Sequence, residues 1–386
     1  MIYDVIVVGV GGMGSATAFQ LARRGQRVLG LERFDIPHSM GSSHGISRII
    51  RLPYYEHGDY VPLLQRAFLL WREIETLSGQ ELLITTGSID AGREDGHLFG
   101  GALASAQLHK LPHEVLTGSE VNARFPGYSL PSATRAVFQP QGGLLASERA
   151  IVVHVDAAIS HGAEIHARER VLNWEAHPSG EGVVVSTDRG GYEAGRLIIT
   201  AGAWIGELAP VARQLATPER QVLAWLQPKR PEWFTTQRFP VFNIDVEEGR
   251  YYGLPVFEVP GFKFGRYHHR GESCAPDLLR REVDESDEAL LRQFASRYFP
   301  AGEGPTMALR TCMFTNTPDE HFIIDHHPQH KQVVLASPCS GHGYKFCSVV
   351  GEILSDLATG DGSTKHKIDF LRLTRPALSQ EPQKEH

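Results

Sequence analysis

Cys312, in ALRTCMFTNTPDEHFIID, is one of 4 cysteines in 386 residues, and nothing near it has the paired spacing of a zinc site or redox motif. Such a thiol is either a small buried hydrophobe or a nucleophile whose thiolate fraction a nearby cation raises, and Arg310 is a candidate cation. A second chemical feature is Gly9-x-Gly11-x-x-Gly14, placed after the apolar run DVIVVG, with Glu32 ending the next apolar run. Glycines so spaced let a pyrophosphate approach a helix N-terminus, and the acidic residue can accept hydrogen bonds from ribose hydroxyls. Near the other end, Ser340-Gly341-His342-Gly343 joins a strand to a helix and makes another anion-favouring end. Lys263 lies between Phe262 and Phe264, so in a strand it points away from both. The histidines of DHHPQH come without HExxH or a cysteine partner at zinc spacing, and read as a surface loop rather than a metal site.

These groups need a scaffold, and its pieces can be read along the chain. YDVIVVGVGGMGSATAFQLARRGQRVLGLE predicts strand, tight turn, helix ending at Gly25 and a second strand, the context that makes the glycine fingerprint meaningful. The segment DIPHSMGSSHGISRIIR reads as a loop, followed by a helix over 59–77 with apolar residues at 61, 64, 67, 68, 71 and 74. LLITTGSID and ATRAVFQP read as strands around a helix at GHLFGGALASAQLHKL, and ERAIVVHVDAAISHG as a further helix. Short strands follow at AEIHA, VLNWEAH and GVVVSTD, then a buried strand that ends in Thr-Ala-Gly-Ala-Trp. QVLAWLQP, PVFNIDV, YYGLPVF and FKFGRY, with an acidic helix over 284–298, suggest an antiparallel sheet in a second domain. VVLAS and an apolar-faced helix close the fold.

Length implies roughly two domains. A net charge of -7 gives no basic footprint for nucleic acid, and no apolar run approaches a membrane span. A small metabolic ligand and a cytoplasmic setting are expected. The tail SQEPQKEH is polar, and is expected to fray.

Taken together, GVGGMG, HGISRIIR, YVPLLQRAFLLW, TAGAW, YYGLP, FKFG, CMFTNTPDEHFIID and SGHGYKF resemble the monomeric sarcosine oxidase and N-methyltryptophan oxidase family of flavoprotein amine oxidases. The resemblance covers nearly the whole chain. It implies an α/β fold: a discontinuous Rossmann-like FAD-binding domain (1–80, 146–215 and 308–373), with a substrate domain on a mixed, largely antiparallel sheet (81–145 and 216–307) and a tail over 374–386. The implied reaction is FAD oxidation of a secondary amino acid to an imine, with O₂ reduced to hydrogen peroxide, in a monomer.

Residue by residue, the resemblance assigns the substrate carboxylate to Arg51 and Lys345, with Tyr252 in the active site. Arginine suits that task because its planar fork takes a carboxylate in two charge-assisted bonds. Arg48 matches an arginine near the flavin ring, and His44 shares its segment, with structural and catalytic parts both open. Lys263 matches a lysine that promotes reaction with oxygen. Cofactor contacts fall on Gly9, Gly11, Gly12, Gly14, Glu32, Arg33, Ser42, Ser43, Gly341, Gly343 and Lys345. Cys312 matches the cysteine that joins the flavin 8α-methyl group covalently.

One departure concerns the family's active-site histidine, four residues after the lysine, where this chain has Tyr267. A bulge could present His268 instead. The preferred amine is therefore open among sarcosine, N-methyltryptophan, pipecolate and proline. A dehydrogenase with another electron acceptor and a structural flavin-binding subunit are the competing readings.

Overall fold

The computed structural model describes residues 3–179 and 181–378. The tail SQEPQKEH lies outside the described residues.

Short β-branched runs form the centre of the first sheet. β1 (Tyr3–Val8), β2 (Val28–Leu31), β9 (Glu164–His166), β12 (Gly191–Ile199) and β19 (His330–Ser337) run parallel in the order β19-β12-β1-β2-β9. Val5 to Val8 and Val28 to Leu31 are all buried, as apolar runs covered on both faces should be. An antiparallel hairpin, β10 (Val171–Ala176) and β11 (Val183–Thr187), extends the edge at β12, and β18 (Ile323–His327) pairs with β19. DHHPQH is thus the turn of the β18–β19 hairpin, with His326 and His327 inside β18, rather than a free loop. Among the described residues, no histidine, cysteine or acidic group is arranged to hold a metal ion.

Helix α1 (Gly12–Ala22) follows β1 and packs against α5 (Ser147–Ser160) and α8 (Cys347–Ala358). Small residues make the approach possible: a Cβ on Gly351 would stand 2.7 Å from the backbone of Ala16. Helix α2 (Tyr60–Ser78) covers α8 and ends at Gly79 in the left-handed region, matching the sequence expectation within a residue.

The second sheet has the order β17-β13-β16-β15-β14-β5-β7-β6. Its strands are β5 (Ser88–Gly92), β6 (Glu114–Thr117), β7 (Arg135–Gln139), β13 (Thr217–Leu226), β14 (Val241–Val246), β15 (Gly249–Leu254), β16 (Phe262–Arg266) and β17 (Thr306–Asn316). Only the β14–β5 pair is parallel, so the sheet is mixed and largely antiparallel. One face buries Phe242, Phe262 and Phe264 against α7 (Glu285–Tyr298), each ring contributing roughly 2 kcal/mol of burial. The other face carries the alternating partners Asn243, Tyr252 and Lys263 toward a cavity. The division expected at 308 runs through β17, which pairs along its length with β13. Cys312 is therefore presented by the second sheet.

A third sheet, β3-β8-β4, joins the two. It consists of β3 (Ser47–Ile50), β4 (Leu83–Thr85) and β8 (Gly143–Ala146). The segment expected to be loop throughout 35–51 thus ends in a strand, because SRII finds backbone partners in β8. The remaining helices are α3 (His97–Leu108), α4 (Gly118–Arg124) and α6 (Ile205–Leu208). No helix among the described residues is long and apolar enough to cross a membrane.

Candidate active site

One cavity, enclosing about 1750 Å³ with its open mouth included, runs from the carboxyl ends of the parallel strands to the inner face of the second sheet. Open α/β sheets bind ligands at such strand ends. At this end the wall is mostly backbone. Gly9 lies in the left-handed region, and a Cβ there would meet the carbonyl of Thr200 at 2.6 Å. A Cβ on Gly14 would fall 1.7 Å from the Gly9 carbonyl, so Gly14 faces β1 rather than the cavity. Gly11 and Gly12 line the cavity at the start of α1, which has no side-chain cap and no acidic residue in its first turn. Ser43 Oγ accepts the Gly12 N–H at 3.3 Å.

Glu32 directly follows β2 in the cavity wall, its two oxygens accepting the N–H groups of Val10 at 2.9 Å and Phe34 at 3.0 Å. Burial pushes its carboxyl up, against those hydrogen bonds. Arg33 also lines the cavity, stacked over Phe34 and Trp204 and paired with Asp277. From the opposite side, Gly341, Gly343 and Lys345 bring in the turn that leads to α8. The buried Ser42 hydroxyl has no hydrogen-bond partner among the described residues. A glycine cradle at a helix N-terminus, a carboxylate at the second strand end and an orphaned hydroxyl between them fit a dinucleotide such as FAD.

The other end is built from side chains. Cys312 is buried beside Arg48, whose Nη2 stands 3.8 Å from its Sγ while donating to the Ser42 carbonyl at 2.6 Å. Burial alone would push the Cys312 thiol up; the nearby His44 and the Arg48 guanidinium outweigh it and bring it down to about 7. Arg310 takes no part in this, since it lies on the exposed stretch of β17 and donates to Leu309. His44 sits behind the thiol and is absent from the cavity lining, and its Nε2 has no partner among the described residues.

Lys263 is buried, and its Nζ donates to the carbonyls of Gly45 at 2.8 Å and Ser47 at 2.5 Å. Burial first, then Arg48, holds its pKa well below the usual lysine value. Glu148, at the start of α5, accepts the N–H groups of Gly45 and Ile46 and so fixes the loop that holds Lys263. Ile46 has a positive φ of 74°, which that double acceptor helps to maintain.

Arg51 is fully buried, donating to both oxygens of Glu56 at 2.8 Å and to the Pro53 carbonyl at 2.6 Å. Its Nε lies 3.6 Å from Asp90. Burial would push the Glu56 carboxyl up, but Arg51 overcomes it and brings it down to about 2. Lys345 Nζ donates to the His342 carbonyl at 2.7 Å, and burial with Arg51 lowers it to about 7. Two cations thus share a cavity, although Arg51 already has a carboxylate partner that the sequence reading did not foresee.

Tyr252 and Tyr267 line the same wall, edge to face at 5.1 Å. His268 is not brought to the cavity. The chain turns directly after β16, with His268 at φ 57°, and its ring bridges Glu219 and Glu320 at 3.0 Å each. Those carboxylates raise it to about 9. The residue in the wall is Tyr267, backed by the Arg250 guanidinium 3.9 Å from its ring. Sequence reading also missed Glu56, Glu148, Asp90 and Asn243. For Asn243 the signal was present, because VFNIDV alternates apolar and polar in a strand otherwise deep in the protein.

The pattern described as FAD dependent oxidoreductase matches residues 4–357. The monomeric sarcosine oxidase of Streptomyces avermitilis is 41% identical over 382 residues, covering 98% of each chain. The N-methyl-L-tryptophan oxidase of Yersinia pestis (strain Pestoides F) is 34% identical over 355 residues, covering 92% of this chain and 94% of that one. The solved structure of NikD, described as an unusual amino acid oxidase essential for nikkomycin biosynthesis, superposes with a TM-score of 0.83 at 26% identity, covering 96% of this chain and 97% of that one. With its glycine cradle, Glu32 and buried cations in one cavity, the chain belongs to the FAD dependent oxidoreductase family.

Proposed function

We propose that the protein is an oxidase of secondary amino acids, acting as a monomer on sarcosine or a related N-methyl amino acid. The product is an imine that hydrolyses to amino acid and formaldehyde, with O₂ reduced to H₂O₂. The observation that carries this reading is the pair of buried cations, Arg51 and Lys345, opening into the same cavity as buried Lys263. The names of the relatives, sarcosine oxidase and N-methyl-L-tryptophan oxidase, favour the same substrate class.

FAD, when bound, accepts two electrons from the substrate C–N bond and hands them to O₂. The chain's own residues do the rest. Arg51 and Lys345 hold the substrate carboxylate, a charge that a buried site tolerates only when paired. Gly341 and Gly343, ahead of α8, put backbone N–H groups and a helix N-terminus beside any negative charge that forms in the cavity. Lys263 Nζ, with two carbonyl acceptors, gains a proton when negative charge develops nearby and then supplies the cation that favours electron transfer to O₂.

Cys312 is the proposed covalent anchor. A thiol brought to about 7 by His44 and Arg48 is substantially thiolate at neutral pH, and would form the C–S bond as the flavin 8α-methyl gives up a proton, the two electrons released being taken by the flavin and passed to O₂. Peroxide release from a panel of sarcosine, N-methylalanine, N-methyltryptophan, proline and pipecolate tests the activity. Rapid flavin bleaching without peroxide in air would overturn the oxidase reading.

A further inference from the structure

The cavity face of the second sheet contains a polar pair that neither carboxylate binding nor oxygen chemistry uses. Asp90 on β5 and Asn243 on β14 are register partners in the single parallel pairing of that sheet, and they sit beside Arg51. Both are buried, Asp90 completely and Asn243 to 2% exposure. Asn243 Nδ2 donates to Asp90 Oδ1 at 2.9 Å, while Asp90 Oδ2 has no hydrogen-bond partner among the described residues. Arg51 Nε, at 3.6 Å, is beyond hydrogen-bond distance, and its guanidinium is already held bidentately by Glu56.

A carboxylate so poorly satisfied is costly in the interior, where polar groups are normally paired. The same sheet face also carries plain apolar residues, Val241, Leu254 and Leu223. What the arrangement achieves is orientation. Asn243 lines the cavity, and a carboxylate behind it can accept only from the amide nitrogen. The amide carbonyl oxygen is therefore the group turned to a ligand.

We propose that Asn243, held in this orientation by Asp90, is a specificity-determining residue that accepts a hydrogen bond from the substrate. The preferred substrate is then a secondary amino acid carrying a hydroxyl or N–H donor on its α-side chain or its N-substituent, with sarcosine, which lacks one, a poorer member of the class. This deepens the oxidase reading and rests on it for the amine. Asp90 is the positioning residue of the pair.

The test uses the flavin-containing protein and ether carboxylates in which oxygen replaces the amine nitrogen, so that binding is read from the flavin spectrum without turnover. One arm compares (2-hydroxyethoxy)acetate with propoxyacetate, placing the donor on the N-substituent side. The other compares 3-hydroxy-2-methoxypropanoate with 2-methoxybutanoate, placing it on the α-side chain. Wild type is expected to bind the hydroxyl member about tenfold more tightly in one arm, since a missing donor leaves a buried acceptor unpaired. Asn243→Leu abolishes or reverses that ratio. Asp90→Asn, which keeps the shape and removes the charge that fixes the amide, lowers it about threefold. Equal or tighter binding of the methyl member in both arms would overturn the proposal, as would an unchanged ratio in a flavin-containing Asn243→Leu. Peroxide release from N-methylserine and the panel of secondary amino acids above reports on the oxidase reading separately: its absence for all of them with the binding ratio intact sinks that reading and leaves the acceptor assignment standing.

Discussion

The two ends of the cavity are made of different materials. At the carboxyl ends of β1, β2 and β12 the wall is main chain, with Gly9 against Thr200 and Gly14 against Gly9, and space itself is the functional quantity. At the inner face of the second sheet the wall is ionisable side chains, Arg51, Lys345 and Lys263 buried and Arg48 half-buried, answered by Glu56, Asp90 and Glu148. A backbone cradle fails all at once when a methyl group is added. A network of buried charges fails by degrees, because each group still has other partners.

Mutations should expose that contrast. The largest effect is expected for Gly14→Ala, whose Cβ would overlap the Gly9 carbonyl; soluble flavin-containing protein should be lost, as read by flavin absorbance per chain. Retention of full flavin content would show that the cradle can yield. Next is Arg51→Met, which removes the proposed partner of the substrate carboxylate and takes this cation away from Glu56 and Asp90. A cost of about 3–5 kcal/mol corresponds to a loss of roughly 10²–10⁴ in kcat/KM, with a parallel fall in Tm. If kcat/KM falls while Tm holds, the ion pairs with Glu56 and Asp90 contribute less than burial suggests.

Lys263→Met should slow reoxidation by O₂ about 100-fold or more while leaving anaerobic reduction by substrate nearly unchanged, measurable by stopped-flow in the two half-reactions. Equal losses in both would move Lys263 to substrate binding. Affinity for a carboxylate ligand should weaken as pH rises through about 7, because Lys345 loses its proton there; a flat profile from pH 6 to 8.5 would place the binding charge on Arg51 alone.

The smallest effect concerns His268, outside the cavity. Its pKa is raised to about 9 in the folded chain by Glu219 and Glu320, so its contribution to stability is full below the unfolded value of about 6.5 and is lost as pH climbs through 9. The ring is 41% exposed, and solvent screening keeps the contribution small. His268→Asn should flatten the decline of Tm between pH 6.5 and 9.5, with kcat unchanged.

The backbone end was largely legible in the sequence. A glycine is informative by its type alone, and Gly9, Gly11, Gly14 and Glu32 came with strand and helix signals on either side. Helix α2 and the closing helix were readable from their 3.6-residue period, while β3 was hidden because its partner, β8, lies far away in the chain. The charged end was legible only in part. Arg51, Lys263, Lys345 and Cys312 could be picked out through the family resemblance, yet their partners could not, because Glu56, Asp90 and Glu148 meet them through tertiary packing. His268 shows the same limit: whether a strand continues, bulges or turns after Arg266 depends on backbone geometry that residue types leave open.

The alternation along β16 has a consequence for how such a site can change. Phe262 and Phe264 anchor the core while Lys263 faces the cavity, and neighbouring strands repeat the division. Inserting or deleting one residue inside β16 would turn the lysine into the aromatic core and a phenyl ring into the cavity. Single replacements at Asn243, Tyr252 or Tyr267 leave the phenylalanine layer untouched. The cavity lining in this architecture is therefore free to drift by substitution, whereas changes in strand length are barred, and variation in length is confined to the loops.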